Sequence, residues 1–426
     1  MEMILVMFIV LFIGLLLGAP IYISLTLSSM LAMFLFGNYS LSAVVQRIFG
    51  GMDKFALMSL PFYVLAAEIM IAGGMSKRLL NLVSATMGSF RGSLALTTQG
   101  ACLLFGALSG SSPATVMAIG SMMYPKLNEG GYSKGFSAGL ITSSGAVAIL
   151  IPPSITFIIY GATTGVSIGA LFMAGFGAGA TVGAVIMVFS YYFAVVHNVP
   201  CEKASSFKEI WSVAKEAIWS LGVPIIILGG IAGGVFTPTE AAGVSVVYAL
   251  FVCCCIHKEL SWSQFYEAVI RSAETIGQLM ILLGTAALFG WLLAISFFPQ
   301  LLTMKIVTLV SSKYTMLFIV NIVFLIAGMF IDSGAAIMIL VPLIYLPLSK
   351  LGIDPVHLGA VIVTNLAIGM FTPPFGLNLF VARTVTGLPI MTIYRSVLPF
   401  IFLSLIALGL VTYFPAITLF FVNLAF

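Results

Sequence analysis

The sequence predicts an all-α polytopic membrane protein built as an inverted repeat, each half holding five spans and one re-entrant hairpin. Three observations carry that prediction. First, 61% of the 426 residues are hydrophobic and only 7% are charged, whereas an ordinary soluble domain has about 25% charged residues. The 17 basic and 13 acidic side chains cannot cover a water-facing surface. That excludes a soluble enzyme, a nucleic-acid binder and a disordered protein. Second, the apolar runs approach or exceed the roughly 20 residues a helical span needs. They do not alternate as the strands of an outer-membrane barrel would. Third, motifs in the first half recur in the second. The net charge of +4 is too small to indicate an acidic partner.

In chain order, spans fall near 3–18, 20–37, 57–74, 134–162, 167–196, 221–237, 238–257, 275–298, 355–385 and 392–422. Met1-Glu2-Met3 leads straight into apolar sequence without a basic n-region or a cleavage site. It reads as a first span and not as a removed signal peptide. Three polar stretches with amphipathic spacing, 38–56, 203–220 and 258–274, lie between spans. From Phe207 to Trp219 the charges share one helical face, the pattern of a helix lying in the membrane interface; a solvated loop is the alternative. Two apolar stretches, 93–127 and 315–349, are too long for one span. They break at Ser109-Gly110-Ser111-Ser112-Pro113 and at Asp332-Ser333-Gly334. Each reads as a re-entrant hairpin, whose non-helical tip is tolerated at membrane depth only where protein or a water-filled cavity covers it.

Internal repetition is the strongest signal. Leu17-Gly18-Ala19-Pro20 recurs as Leu221-Gly222-Val223-Pro224, and the hairpin segment from Gly106 to Thr115 recurs from Gly328 to Ile337. Ile151-Pro152-Pro153 recurs as Thr372-Pro373-Pro374, each pair interrupting a span. The offsets are 204 (Leu17 to Leu221), 222 (Gly106 to Gly328) and 221 (Pro152 to Pro373). The chain therefore divides into a first repeat at 1–200, an arm at 201–220 and a second repeat at 221–426. Five crossings per half, an odd number, invert the second repeat, a plan shared by many secondary transporters.

Basic residues set the expected orientation. One side collects Lys77, Arg78, Arg91, Lys126, Lys134, Lys203, Lys208, Lys215, Lys258, Arg271 and Arg395; the other collects Arg47, Lys54, Lys305, Lys313 and Lys350. The richer side is expected to be cytoplasmic, which puts both termini outside.

Charges inside apolar sequence are functional candidates by default. They are Glu68, Glu240, Asp332 and Arg383. Asp332, at the second hairpin tip, reads as a ligand or as a cap for the returning arm, and the two roles are compatible. Glu68 and Glu240 read as functional groups or as caps and partners near an interface. The two Pro-Pro breaks and the two hairpin tips free backbone carbonyls, which with nearby hydroxyls form oxygen cages for a small hard cation. Helices beginning after the breaks bring positive N-terminal ends to the same volume, which favours an anion. Thr142, Ser143, Ser144, Asn365, Thr372 and Asn378 lie close enough in sequence to add side-chain oxygens or amides; bonding back to the preceding turn is the alternative for each.

Other chemistry finds no support. Cys102, Cys201 and the run Cys253-Cys254-Cys255 lack ligand spacing and read as small apolar residues. His197, His257 and His357 fall at helix ends. No His-Glu-x-x-His or Gly-x-Ser-x-Gly motif occurs, and Ser109, Ser111 and Ser112 have no histidine base nearby in sequence. No nucleotide motif points to direct ATP drive.

Several motifs taken together resemble the large membrane subunit, DctM type, of tripartite ATP-independent periplasmic (TRAP) transporters. They are Pro61-Phe62-Tyr63-Val64-Leu65-Ala66, Ser109-Gly110-Ser111-Ser112-Pro113-Ala114-Thr115, Ile149-Leu150-Ile151-Pro152-Pro153-Ser154, Phe236-Thr237-Pro238-Thr239-Glu240-Ala241, Gly328-Met329-Phe330-Ile331-Asp332 and the run from Thr372 to Phe380. The match covers essentially the whole chain. The resemblance implies sodium-coupled import of an organic acid across a bacterial inner membrane by an elevator motion of hairpins and broken helices. It implies two partners besides the lipid bilayer: a small four-helix membrane subunit of DctQ type, expected as a separate chain, and a periplasmic binding protein of DctP type. It places one sodium site at Ser109, Ser111, Ser112 and Gly145 to Pro152, and another at Asp332, Ser333 and Gly369 to Pro373, including Thr372. Ser111, Ser154, Asn378 and Arg383 are the expected substrate contacts. No cofactor, enzymatic activity or nucleic-acid partner is expected; sodium enters only as coupling ion. A single intramembrane arginine among many hydroxyls and amides favours a sugar acid such as sialic acid. A C4-dicarboxylate carrier is the alternative within transport, and a channel or pore-forming scaffold subunit the alternative outside it.

Overall fold

A computed structural model describes residues 2–37, 39–87, 91–200, 206–301, 304 and 312–426. Cys201, Lys203 and Lys305 lie outside them. The described residues contain helices, turns and no strand. Among the described residues nine helical stretches, counting 134–164 as one across its break, are long and apolar enough to cross a membrane, and five further apolar helices of 10–17 residues accompany them. The chain is a multi-pass membrane protein.

The first half opens with α1 (Glu2–Leu16) and α2 (Ile21–Phe36), separated at Pro20, whose fixed φ suits a helix start. The amphipathic α3 (Leu41–Met52) follows, capped by Ser40, and then α4 (Ser59–Ala72) and α5 (Met75–Met87). Helix α5 had no counterpart among the expected spans, because Lys77, Arg78 and Asn81 interrupt its apolar face. Next come the first hairpin, α6 (Ser93–Ser109) and α7 (Ser112–Glu129), and a helix broken into α8 (Lys134–Val147) and α9 (Ile155–Thr164). The long α10 (Ile168–Val196) closes this half.

The second half begins with a difference from expectation. Residues 207–220 are no separate interfacial arm but the first part of one continuous helix, α11 (Phe207–Ala232). Likewise 258–274 runs into the apolar segment as α13 (Trp262–Ile295), after α12 (Pro238–Phe251). Each begins with a full capping box, Ser206 with Glu209 and Ser261 with Gln264. Helical hydrogen bonding passes through the polar-to-apolar change because nothing at the boundary stops it; even Pro224 is absorbed within α11. The second hairpin is α14 (Lys313–Phe330) and α15 (Ser333–Lys350), and the second broken helix is α16 (Pro355–Gly369) and α17 (Leu377–Thr386). The expected single span at 392–422 is two helices, α18 (Ile390–Tyr413) and α19 (Pro415–Ala425). Pro415 supplies no N–H to continue the first.

Burial ranks these elements. The window across α8 and α9 is 89% buried and every residue from His357 to Gly369 in α16 is buried. Outer helices instead present large apolar side chains, Leu16, Phe34, Val188 and Phe402 among them, as a lipid-facing shell requires. Helix α13 packs against α2, α3, α4 and α15, while α10 packs against α6, α16, α18 and α19. The broken helices therefore sit at the centre.

The isolated charges are mostly spoken for. Glu240 closes a capping box with Thr237 at the exposed start of α12. Glu68 pairs with Arg271 at 2.8 Å. Arg78 binds Glu259 at 2.6 Å and holds its carboxyl below the usual carboxylate range. Arg47 lies over the Trp291 ring at 4.8 Å, and Lys54 donates to the Ala162 carbonyl at 2.8 Å.

Candidate functional site

At the first hairpin tip Gly110 adopts the left-handed conformation (φ 58°) that lets α6 turn into α7. Ser109 Oγ lies 3.2 Å from Thr115 Oγ1, which donates to the Ser111 carbonyl at 2.8 Å. The Ser111 side chain caps nothing and stays half-buried at the tip. This tip seats directly on the first break. A Cβ on Gly110 would meet the Pro153 carbonyl oxygen at 2.7 Å, and one on Gly106 would meet Ala148 Cα at 2.6 Å. The arms behind the tip are also closely packed: a Cβ on Gly145 would lie 3.1 Å from the Val116 nitrogen. So the expected first set, Ser109, Ser111, Ser112 and Gly145 to Pro152, is brought together.

The second tip repeats the arrangement with different chemistry. Asp332 caps α15, its Oδ2 accepting from Gly334 N–H at 2.8 Å. Gly328 and Gly369 cross almost in contact; a Cβ on Gly369 would meet Gly328 Cα at 2.6 Å. Past Gly369 the chain turns through Thr372 and Pro373, with Asn378 N–H bonded to the Met370 carbonyl at 2.9 Å. Both Pro-Pro bonds, at 152–153 and 373–374, are cis.

The two halves then lock across each other. Asn378 Nδ2, at the start of α17, donates to Ser112 Oγ at 2.6 Å and lies 3.4 Å from the Thr142 carbonyl. Thr156 Oγ1, at the start of α9, lies 3.3 Å from Ser333 Oγ. Each hairpin tip thus bonds to the second arm of the other half's broken helix. The partners sit at equivalent positions, with Ser112 to Ser333 spanning 221 residues and Thr156 to Asn378 spanning 222. The N-termini of α7, α9, α15 and α17 consequently gather around the two breaks, and the positive ends of their dipoles point at the volume between them. Thr156 was missed in the sequence, although the repeat offset from Asn378 points to it.

Several expected residues turn out to be occupied locally. Thr142, Ser143 and Thr372 bond back to carbonyls of the preceding turn. Ser154 caps α9 through Phe157 N–H and is fully buried. Asn365 donates to Asn321 at 2.8 Å. The buried side-chain oxygens without a partner here are Ser144 Oγ, Asn365 Oδ1 and Asn378 Oδ1. Ser144 and Asn365 again stand 221 residues apart. Neutral oxygens of this kind, beside the carbonyls of the breaks and the Asp332 carboxylate, are the donor set a hard monovalent cation takes. Arg383 is not drawn to the tips. It lies on the exposed face of α17, while Asn378, Leu379 and Ala382 face inward.

Comparison with known proteins matches this chain over residues 8–417 to the family described as tripartite ATP-independent periplasmic transporter, DctM component. The chain belongs to that family. The C4-dicarboxylate TRAP transporter large permease protein DctM of Pseudomonas aeruginosa is 40% identical over 93% of each chain. The isethionate TRAP transporter permease protein DctMQ of Oleidesulfovibrio alaskensis is 41% identical over 95% of this chain, which spans only 64% of that protein's length. The crystal structure of the Alcanivorax borkumensis YdaH transporter shares the fold, with a TM-score of 0.65 over 89% of each chain at 15% identity.

Proposed function

We propose that this DctM-family chain imports a small organic acid across a bacterial inner membrane, coupled to sodium and supplied by a periplasmic binding protein. The observation that supports it best is the meeting of four helix N-termini with unpaired buried oxygens at two equivalent breaks. Dipole ends attract a carboxylate; the oxygens and freed carbonyls attract the cation that accompanies it. In this reading one cation sits among Ser109, Ser111, Ser112 and the 145–152 turn, and another among Asp332, Ser333 and the 369–373 turn. The carboxylate lies between the tips, near Ser111 and the crossed Asn378. Hairpins and broken helices move together as an elevator against the remaining helices, held as one body by the two cross-bonds.

A small membrane subunit of DctQ type completes the reading. The third of the DctMQ relative that this chain does not span leaves room for such a subunit in one polypeptide. Both termini are periplasmic. A reporter fused after Phe426 should be active only in its periplasmic form; activity only in the cytoplasmic form would invert the topology.

The deciding experiment is uptake into liposomes holding this chain and its small subunit, with a panel of acids each offered on a purified binding protein. Saturable uptake that needs both sodium and the binding protein is expected. Uptake by the permease alone at micromolar substrate would make it a conventional symporter. Sodium-independent conductance would make it a channel. The panel includes a sialic acid and a C4-dicarboxylate, the second because the Pseudomonas relative is named for that class.

Arg383 separates two substrate geometries. If its guanidinium grips the carboxylate in a bidentate fork, Arg383→Lys keeps the charge, loses the fork, and raises the apparent KM about tenfold. If it is an interfacial anchor, as its exposure favours, Arg383→Lys and Arg383→Gln both transport with unchanged KM.

A further inference from the structure

An open crevice of about 460 Å³ lies where the ends of α8, α10 and α18 meet, away from the breaks. Its polar wall is formed by Ser133, Thr392, Ser396 and Arg395, and it contains no acidic residue. Among the described residues nothing pairs with the Arg395 guanidinium, which is exposed. The first N–H groups of α18, at Ile390 and Met391, have no side-chain cap. The basic Lys134 follows Ser133 directly.

The rest of the lining is largely aromatic. Phe136 stacks on Phe193 at 3.8 Å, and Phe189 meets Phe400 edge-on at 5.3 Å. Phe189 also lines a second hollow of about 440 Å³, whose lining includes Val185, Val188, Tyr192 and Leu403 and exposes no polar surface. Polarity therefore falls off along the helix axes. From Arg395 to Leu403 is eight residues of α18, about 12 Å of depth at 1.5 Å per residue. A cation at the helix ends above a purely apolar trough fits an amphiphile with an anionic head. A free anion gains nothing from the trough, and a neutral lipid gains nothing from Arg395.

We propose that this crevice is a binding site for one anionic phospholipid, its phosphate at Arg395 and the start of α18, and one acyl chain lying along α10 past Val188 to Leu403. Its location on two helices that pack against the broken helices ties the bound lipid to the central bundle. The proposal rests on the crevice and not on what the protein carries.

Native mass spectrometry of the delipidated full chain, titrated with phosphatidylglycerol and phosphatidylcholine, tests it. The expected result is one phosphatidylglycerol retained with at least tenfold preference over phosphatidylcholine. Arg395→Gln should remove that preference, and Leu403→Trp, which fills the trough, should weaken both lipids. Glycerol phosphate, the head without chains, should not compete. Equal retention by the unaltered chain and both variants would overturn the site, and so would displacement by glycerol phosphate. A photoreactive phosphatidylglycerol gives the same answer without any substitution. Crosslinks within 184–193 or 392–403 support the site, and crosslinks only elsewhere refute it.

Discussion

Gly369→Ala should destabilise the protein by about 1–3 kcal/mol, the usual cost of an added methyl in a filled interior. Gly409→Ala, the same chemical change, should be neutral or stabilising by up to about 1 kcal/mol, because alanine is the better helix former. The difference is space. A Cβ on Gly369 would meet backbone on the facing helix, Gly328 Cα at 2.6 Å and its carbonyl carbon at 2.7 Å, while a Cβ on Gly409 meets nothing within 4 Å. Backbone cannot swing aside as a side chain can, so α14 and α16 must part, and the second hairpin tip moves off its break. Thermal unfolding in detergent, read alongside uptake, checks both. Gly369→Ala should lower the melting temperature and uptake together. An unchanged melting temperature would mean the crossing is looser than its geometry indicates.

The legible part of this protein was the part written in apolar periodicity and in turn chemistry. Ser-Gly-Ser-Ser-Pro and Asp-Ser-Gly each stop one helix, and Asp332 caps the next, so the breaks at both expected tips and at both Pro-Pro pairs fall within a few residues of their expected places. Repetition did more, since the offset of about 221 residues pairs Ser112 with Ser333 and Ser144 with Asn365. Where local signals are weak the boundaries are not legible. Nothing in Trp219-Ser220-Leu221 marks a change of direction, and a helix has no reason to end where hydropathy alone changes, so α11 runs straight through. Side-chain direction was not legible at all. Thr142 and Asn378 look equally suitable on paper, yet one bonds back to its own helix while the other reaches 266 residues to Ser112.

Asp332 is the position where structure and the proposed coupling make the sharpest joint demand. Its carboxylate caps α15 through Gly334 N–H, and in the proposed mechanism it also supplies the one negative ligand among neutral oxygens. Two substitutions divide these roles. Asparagine is as good an N-cap as aspartate, whereas alanine loses the cap at about 0.5–2 kcal/mol. If the cap were the whole role, Asp332→Asn would transport as the unaltered chain does and only Asp332→Ala would suffer. If the charge holds sodium, Asp332→Asn should fold with an unchanged melting temperature yet need at least tenfold more sodium for half-maximal uptake, about 1.4 kcal/mol of lost cation binding. Removing sodium altogether should stop uptake by the unaltered protein, and a protonophore should not, because carbonyls and hydroxyls do not titrate near neutral pH. An identical sodium titration in Asp332→Asn would remove the carboxylate from the ion's coordination. Uptake that survives in sodium-free buffer and collapses with the protonophore would replace sodium by a proton, and Asp332, the one titratable group at either tip, would then be the residue that carries it.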